Sequence, residues 1–588
     1  MLLDDSNIAE NYSGVSSPLT CSLAEETYRL IFTRLGERFL GPARMAADGG
    51  YARDIAEHMA VAYRGHLYYR LDNWLRMLQM LPLSGRIIPL WRRSLGVPEA
   101  PLPPRPAVGW RARYGVAWRL AGVWRATPRL MAGLDRDVAD VQRAYDGQAM
   151  TDQVVEQASN ASGVETTGTT ETSATPVRPQ CPTSTGAHPG AEIGALRDLY
   201  VRLRDGVFRN WDVTLVNDLR AFVYTALATR TGAPVHGVAL ESLKPIRALA
   251  ALRLHPECAD LASLGTDEAV RDYLSTGSPL AAALRTYIEQ YGDRGPGELK
   301  LESQTFRTHP LALVKTVLAA PGGSAGVPSV AAPMSATPPP PPRNPFARRA
   351  LAAIAGREAS RLNRSRLYGM MRSIAWRAGT VLESAELLET PGDVFYLTLD
   401  ELFATPADRR RLVAARRAEW AQYAAEPPPS RLDLPDPTPT VIPAKAGTPD
   451  PTPTVIPAKA GTPGAHRRDP TPTPPRNPGP TPDTLRGTPA SPGYGEGEVL
   501  VVTEPGIDAA GKIVVAVSTD PGWVFLLSTA AGVITERGSP LSHTAIVCRE
   551  LGLPAVVAVP GATTRLRDGD RVRLDATAGE IEVVRARV

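Results

Sequence analysis

The chain has 588 residues, with 65 Lys and Arg against 61 Asp and Glu, and 43% of its residues are hydrophobic. This length exceeds that of a domain with a single hydrophobic core, so roughly two to four domains are expected. The apolar content excludes a wholly disordered chain. A formal net charge of +4 over this length is nearly neutral, so charge alone does not favour a nucleic-acid or anionic membrane partner.

The N-terminus, MLLDDSNIAE, is acidic and is not followed by an apolar signal segment, and the sequence contains no run of 18 apolar residues. We therefore expect a cytoplasmic protein. Cys21, Cys181, Cys258 and Cys548 are widely separated and form no CxxC pair, which predicts neither a disulfide framework nor a zinc site.

Apolar residues at a spacing of three to four predict helices through most of the first 426 residues. We divide this region into helical parts at 1–146, 193–319 and 346–426. Leu196, Leu199, Leu203, Val207 and Trp211 form one such stripe, and we interpret it as core.

Three low-complexity segments interrupt the pattern and are predicted to be disordered, at 147–192, 320–345 and 427–492. The last contains a perfect tandem duplication, DPTPTVIPAKAGTP at 436–449 and again at 450–463. Because the repeat lacks apolar periodicity, it is typical of an expanded DNA repeat and not of a solenoid.

The segment 493–588 has a different pattern, in which short β-branched runs alternate with turn signals. These runs predict strands at 497–502, 512–517, 532–536, 555–559, 571–576 and 580–584. The stretch PLSHTAIVCRELG predicts a helix ending at Gly552. The predicted fold class is therefore multidomain α plus α/β, with a large helical region followed by a compact domain of mixed strands and helices.

One strand–loop–helix stretch, at 532–557, could perform chemistry. Ser539 and Pro540 are predicted as the N-cap and first residue of its helix, which places Gly538, Ser542, His543 and Thr544 at or near the first turn. A phosphoryl group on His543 would lie at the positive end of the helix dipole, and a neutral imidazole is nucleophilic near neutral pH. The remaining histidines are assigned structural roles or lie in low-complexity segments: His58, His66, His188, His236, His255, His309 and His466.

The stretches TDPGWVFLLSTAAGVITERG, SHTAIVCRELGLPAVV and PGATTRLRDGDRVRLDATAGEIEVV resemble the phosphohistidine swivelling (mobile) domain of the phosphoenolpyruvate-utilising enzymes. The resemblance implies a β/β/α swivelling domain in which His543 is the phosphorylated histidine. This sequence departs from the family pattern at Gly538-Ser539, where a Gly-Gly pair is usual, and at Thr544, where the family has a small residue.

ENYSGVSSPLTCSLAEE, YGDRGPGELKLESQTFRTHP, GREASRLNRSRLYGMMR and TPGDVFYLTLDEL are similar to the helical region of rifampicin-phosphotransferase-like enzymes. The resemblance implies substrate-binding roles for Arg294 and Glu298, and for Arg357 and Glu358. Structural ion pairs or solvated helix faces are an equally good interpretation of these four residues.

Relatives of this kind begin with an ATP-grasp domain, which this sequence does not contain. We therefore expect a phosphotransferase whose His543 receives a phosphoryl group from a separate ATP-grasp polypeptide that binds ATP and Mg²⁺, and passes it to a small-molecule acceptor. No cofactor or metal is expected on this chain. The alternatives are a phosphocarrier charged from phosphoenolpyruvate, and a non-catalytic interaction protein that retains the fold.

Overall fold

The protein was analysed as a computed structural model. The structure describes residues 1–5, 8, 11–12, 14–41, 51–81, 84–94, 101–104, 110–161, 189–233, 244–294, 297–319, 342–404, 408–434, 484–502, 509–519, 523–527, 529–538 and 542–584. Two bodies of secondary structure follow one another along the chain. The first is mainly helical and ends at Leu434, and the second begins at Thr484.

The helical body contains fourteen α-helices among the described residues. They are α1 (Pro18–Leu40), α2 (Tyr51–Glu57), α3 (Leu71–Gln79), α4 (Ser84–Ser94), α5 (Trp110–Ala161), α6 (Pro189–Gly206), α7 (Asp212–Arg230), α8 (Lys244–Arg253), α9 (Asp267–Ser275), α10 (Pro279–Tyr291), α11 (Pro310–Ala319), α12 (Pro345–Ser384), α13 (Leu399–Phe403) and α14 (Arg409–Ala425). In the described part of the chain, none of the helices is both long enough and apolar enough to cross a bilayer.

The main core of this body is built on α1, α6, α7 and α12. The predicted stripe from Leu196 to Trp211 is buried in it, which confirms that interpretation. Local signals set the helix ends: Ser17 caps α1 ahead of Pro18, and Asn344 caps α12 ahead of Pro345.

A second core lies within the segment that the sequence assigned to helical part 193–319. Helices α8 to α11 and the 3-10 helix Pro256–Ser263 bury Leu261, Leu280 and Val317 against one another, apart from the main core. Helices α6 and α7 belong to the main core instead, so this part divides after α7.

The helical body also contains a four-stranded sheet that periodicity did not predict. Its strands are β1 (Leu2–Asp4), β2 (Ala60–Tyr63), β3 (His66–Arg70) and β4 (Arg431–Asp433), in the order β2-β3-β1-β4. The β2–β3 hairpin turns at Arg64 and Gly65, whose φ angles are +47° and +70°. Two positive φ values in succession are typical of a tight hairpin turn.

The C-terminal domain is an eight-stranded sheet with helices packed on both faces. Its strands are β5 (Thr484–Arg486), β6 (Thr488–Ser491), β7 (Tyr494–Val501), β8 (Ile513–Ala516), β9 (Gly532–Thr535), β10 (Ala555–Val557), β11 (Arg571–Asp575) and β12 (Glu580–Val583), in the order β5-β12-β11-β7-β8-β9-β10-β6. Its helices are α15 (Val524–Leu527), α16 (His543–Leu551) and α17 (Ala562–Arg565). Strands β7 to β10 are parallel neighbours, and buried residues cover both faces of this half of the sheet.

All six strands predicted in 493–588 are present, with ends that differ by a few residues, and Gly552 ends the helix in a left-handed conformation with φ +66°. These elements confirm the predicted fold class, a helical region followed by a domain of mixed strands and helices.

The predicted low-complexity segments are shorter than the sequence indicated. Helix α5 continues to Ala161, and α6 begins at Pro189, so only 162–188 of the first segment lies outside the described residues. Pro345 is the first residue of α12. The third segment contains β4 at one end and β5 and β6 at the other, because Leu432, Leu485 and Ala490 are apolar enough to be buried beside distant strands. The tandem repeat lies outside the described residues.

Candidate functional site

The predicted nucleophile lies at the start of α16, between the parallel strands β9 and β10. His543 is the first residue of the helix, and its side chain is not among those the structure describes. The N-cap is Ser542, whose Oγ accepts a hydrogen bond from the Ala545 N–H at 3.4 Å. The prediction that Ser539 and Pro540 begin the helix was therefore wrong, and both of these residues lie outside the described ones.

The described residues around this helix start are tied to neighbouring strands and loops. Gly538 has φ +130°, a conformation that side chains disfavour, and a Cβ added there would lie 3.4 Å from Val557 Cβ. Thr544, the other departure from the family pattern, is buried and shares a hydrogen bond with the Thr519 hydroxyl. Thr544 therefore has a packing role on the inner side of the helix.

His543 remains the candidate nucleophile after its alternatives are examined. Burial raises the pKa of Cys548, on the same helix, to about 12, so its thiol stays protonated at neutral pH. His58, His66, His255 and His309 each bond a ring nitrogen to a nearby backbone or side-chain group, in keeping with structural roles. His188, His236 and His466 lie outside the described residues.

The loop that leads from β9 to His543 contacts the helical body. Arg537 donates to Asp5 Oδ1 at 3.0 Å and also bonds the Ser430 hydroxyl. Burial raises the pKa of Asp5 above its usual range, and the positive charge of Arg537 opposes that shift. Asp5 follows β1 and Ser430 precedes β4, so the small sheet is the surface on which this loop docks.

The helical body contains a cavity of about 350 Å³, which we call the arginine–tyrosine pocket. Helix α12 contributes Arg357, Arg361, Arg364 and Tyr368 in a row, because spacings of three and four residues place side chains on one helical face. The opposite walls come from the N-terminal segment, α1, β3, α3, the 3-10 helix Phe208–Asn210 and α7.

Hydrogen bonds and ion pairs hold the polar groups of this pocket. Tyr12 and Tyr368 share a hydrogen bond between their hydroxyls at 2.5 Å. Arg361 pairs with Glu358 at 3.0 Å, and Arg357 lies 3.5 Å from Asp218. The pocket combines aromatic walls with a few fixed polar groups, which is the usual composition of a small-molecule site.

The structure separates the four substrate residues that the resemblance implied. Arg357 lines the pocket, and Glu358 is buried beside it as the partner of Arg361. Arg294 and Glu298 instead pair with each other at 3.2 Å, with side-chain exposures of 4% and 2%, in a loop that Arg372 holds through the carbonyl of Glu298. Their burial favours a structural role.

Several pocket residues were missed by sequence reasoning. Tyr12, Tyr28, Arg361, Arg364 and Tyr368 line the pocket, but only Arg357 and Glu358 were selected from their helix. The sequence did contain a signal. Three arginines and a tyrosine recur at spacings of three and four residues, where a helix usually places the apolar residues of its buried face. Within the described part of the chain, no group of three or more His, Cys, Asp or Glu side chains is arranged to hold a metal ion.

Two segments match known protein families. Residues 508–579 match the mobile domain of phosphoenolpyruvate-utilising enzymes, and residues 240–332 match the fourth domain of rifampicin phosphotransferase. The second match covers the separate core of α8 to α11. The C-terminal domain is therefore similar to the mobile domain of the phosphoenolpyruvate-utilising enzymes, and the core of α8 to α11 is similar to one domain of rifampicin phosphotransferase.

Individual relatives agree with these matches. A protein of Mycobacterium tuberculosis with no function in its name is 32% identical over 66% of this chain and 42% of its own length. The rifampicin phosphotransferase of Streptomyces sviceus is 35% identical over 34% of this chain and 20% of its own length. A probable phosphoenolpyruvate synthase of Staphylothermus marinus is 40% identical over 16% of this chain and 12% of its own length. The chain thus spans at most about two-fifths of these relatives.

Proposed function

We propose that this chain is a phosphotransferase component that carries a phosphoryl group on His543 and delivers it to a small molecule bound in the helical body. The observation that supports this most strongly is the mobile-domain match over 508–579, in which His543 begins a helix directly after its Ser542 cap. A helix start favours a bound phosphoryl group through its N–H groups and the helix dipole.

The reaction has three steps. An imidazole nitrogen of His543 forms an N–P bond to the β-phosphorus of ATP while the P–O bond to AMP breaks, and water then cleaves the bond between the β- and γ-phosphoryl groups and releases phosphate. The acceptor hydroxyl finally takes the remaining phosphoryl group as the N–P bond breaks and the hydroxyl proton leaves. The donor is ATP bound with Mg²⁺ by a separate ATP-grasp polypeptide, and the net reaction converts ATP, acceptor and water to AMP, phosphate and phosphorylated acceptor.

The arginine–tyrosine pocket is the proposed acceptor site. Residues 1–12 connect this pocket to the loop that leads from β9 to His543, which we call the carrier loop. Asp5 contacts Arg537 of that loop, and Tyr12 lines the pocket. Seven peptide units separate Asp5 from Tyr12, which limits their Cα atoms to about 25 Å apart. The docking contact and the pocket therefore share one short segment of chain.

Phosphoryl labelling of the full chain tests the proposal. The protein is incubated with β- or γ-labelled ATP, or with labelled phosphoenolpyruvate, with and without an ATP-grasp polypeptide, beside His543→Ala. We expect acid-labile label from ATP that requires the second polypeptide and is lost in His543→Ala but retained in His309→Ala. Label from phosphoenolpyruvate would instead identify a phosphocarrier, and absence of label from a folded protein would leave only an interaction role.

A further inference from the structure

The charges around the arginine–tyrosine pocket do not cancel. Among the described residues, three arginines line it, Arg357, Arg361 and Arg364, against a single lining carboxylate, Asp218. A second carboxylate, Glu358, is buried and pairs with Arg361. In the described part of the site, one positive charge is therefore left without a matching carboxylate.

Arg364 is the arginine without a carboxylate partner among the described residues. Its Nη2 donates to the neutral side-chain oxygen of Asn11 at 2.9 Å, and its Nε is buried with no hydrogen-bond partner in the described part of the chain. A buried guanidinium nitrogen that lacks a hydrogen-bond partner is costly, and a carboxylate matches the planar donor geometry of arginine.

Three phenols near Arg364 can donate hydrogen bonds. Burial raises the pKa of Tyr12 and Tyr28 above the usual range and raises that of Tyr368 to about 12, so all three phenols are neutral at neutral pH. The positive charge of Arg364 opposes the rise in each of them, which shows that it lies within electrostatic reach of all three. An anion placed there could accept hydrogen bonds from phenol and guanidinium together.

The remaining walls favour a flat apolar body. Trp74, Phe208 and Trp211 line the same cavity, and aromatic faces prefer to pack against planar rings. The cavity volume, about 350 Å³, lies at the lower end of the range for small-molecule pockets, roughly 300–1,000 Å³. A single-ring molecule with one acidic substituent has this size.

We propose that the arginine–tyrosine pocket binds a small aromatic acid, with the carboxylate held at Arg364 and the ring between the aromatic walls. This inference deepens the proposed function by naming the chemical class of the acceptor, and it rests on that function only in treating the bound molecule as a phosphoryl acceptor. Arg364 is then the residue that determines specificity for an anion over its neutral analogue.

Binding of a matched pair of probes to the full chain tests the inference, without nucleotide or second polypeptide. 4-Hydroxybenzoate and 4-hydroxybenzamide have the same size and ring and differ in charge. Calorimetry, supported by the fluorescence of Trp74 and Trp211, measures each Kd. We expect the acid to bind at least ten-fold more tightly than the amide.

Variants test whether Arg364 is responsible for the preference for the acid over the amide. Arg364→Gln is expected to bring the two Kd values within about two-fold of each other, whereas Arg364→Lys retains part of the preference because it keeps the charge. Arg366→Gln, two residues along the same helix and bonded to Asn363, is the matched control and should leave the preference intact. Circular dichroism confirms that each variant is folded.

Equal Kd values for acid and amide, no detectable binding of the acid, or an unchanged preference in folded Arg364→Gln would each overturn the inference. Failure of the proposed function gives a different result: the acid binds and Arg364→Gln abolishes its preference, but no label reaches His543. Labelling of His543 together with equal binding of the two probes would contradict only the inference about the acid.

Discussion

Ser542 and His543 are adjacent in sequence, and together they form the start of α16. The Ser542 hydroxyl accepts the N–H of Ala545, and this bond orders the first turn on which His543 lies. Both Ser539-Pro540 and Ser542 are acceptable helix starts by composition, so local preference alone did not choose between them. The structure shows that the chain takes the later start.

Replacing Ser542 with alanine tests the cap. Ser542→Ala should destabilise the first turn of α16 by about 1 kcal/mol, which corresponds to roughly five-fold faster amide exchange if the helix opens locally. Hydrogen–deuterium exchange of the peptide spanning Thr544 to Leu551 in the full chain measures this change.

Ser542→Asp is the control for that experiment, because aspartate also caps a helix N-terminus and keeps an acceptor at the same position. We expect it to retain near wild-type exchange. Equal exchange in the alanine variant and the wild type would mean that the Ser542 hydroxyl does not stabilise this turn.

Helix α12 spans 40 residues and joins most of the helical body. Its middle carries the arginines of the pocket, and its later turns pack so closely on neighbouring loops that glycine is required there. A Cβ added at Gly379 would overlap the carbonyl oxygen of Pro391, and one added at Gly369 would overlap Asp293. Close packing thus outweighs helix propensity in this helix.

Two glycine-to-alanine substitutions should therefore have opposite effects. Gly379→Ala is expected to lower the free energy of unfolding by about 1–3 kcal/mol, because the new methyl group meets backbone that cannot move away cheaply. Gly133→Ala, in α5 where a Cβ would meet nothing within 4 Å, should raise it by about 0.5–1 kcal/mol.

Urea unfolding followed by the helical circular dichroism signal compares the two variants with the wild type. If Gly379→Ala were as stable as Gly133→Ala, the contact between α12 and the Pro391 loop would not be as tight as the structure has it.

The two bodies of the protein meet at the small sheet, where the first and last strands of the helical body pair with each other. Strand β1 pairs with β4 across more than 400 residues, and Arg431 bonds Asp4 at 2.9 Å within this pair. The same end of the sheet presents Asp5 and Ser430 to Arg537 of the mobile domain. The docked position of the carrier loop is thus defined by residues at both ends of the helical body.

Removing this contact should release the mobile domain. Side-chain exposures of 28% for Arg537 and 12% for Asp5 place the pair partly out of water. A hydrogen-bonded charge pair of this kind contributes about 1.5 kcal/mol, so Arg537→Ala should lower the ratio of docked to undocked protein about ten-fold. Fluorescence energy transfer between labels on the two bodies measures the ratio.

Arg571→Ala is the matched control, since Arg571 pairs with Glu496 inside the mobile domain at 3.2 Å and should leave docking unchanged. Asp5→Asn should reproduce the effect of Arg537→Ala, and the double variant should add little to either. Identical energy transfer in wild type and Arg537→Ala would show that another contact holds the domain.

Much of the mobile domain could be predicted from sequence because its signals are local. Alternating β-branched runs predicted each strand from β7 to β12, and Gly552 marked the end of α16, since these preferences depend on residues within a few positions of one another. The same was true of the buried stripe from Leu196 to Trp211. The resemblance to a mobile domain rests on these contiguous stretches.

The sequence by itself thus determined the helical region, the strand order along the chain of the mobile domain, and the histidine that is the candidate phosphoryl carrier. Tertiary structure alone decided which distant segments meet: β1 with β4, Arg537 with Asp5, and the elements that enclose the arginine–tyrosine pocket around α12. Short polar segments such as 2–4 and 431–433 have weak local preferences, so burial against partners hundreds of residues away decides their structure.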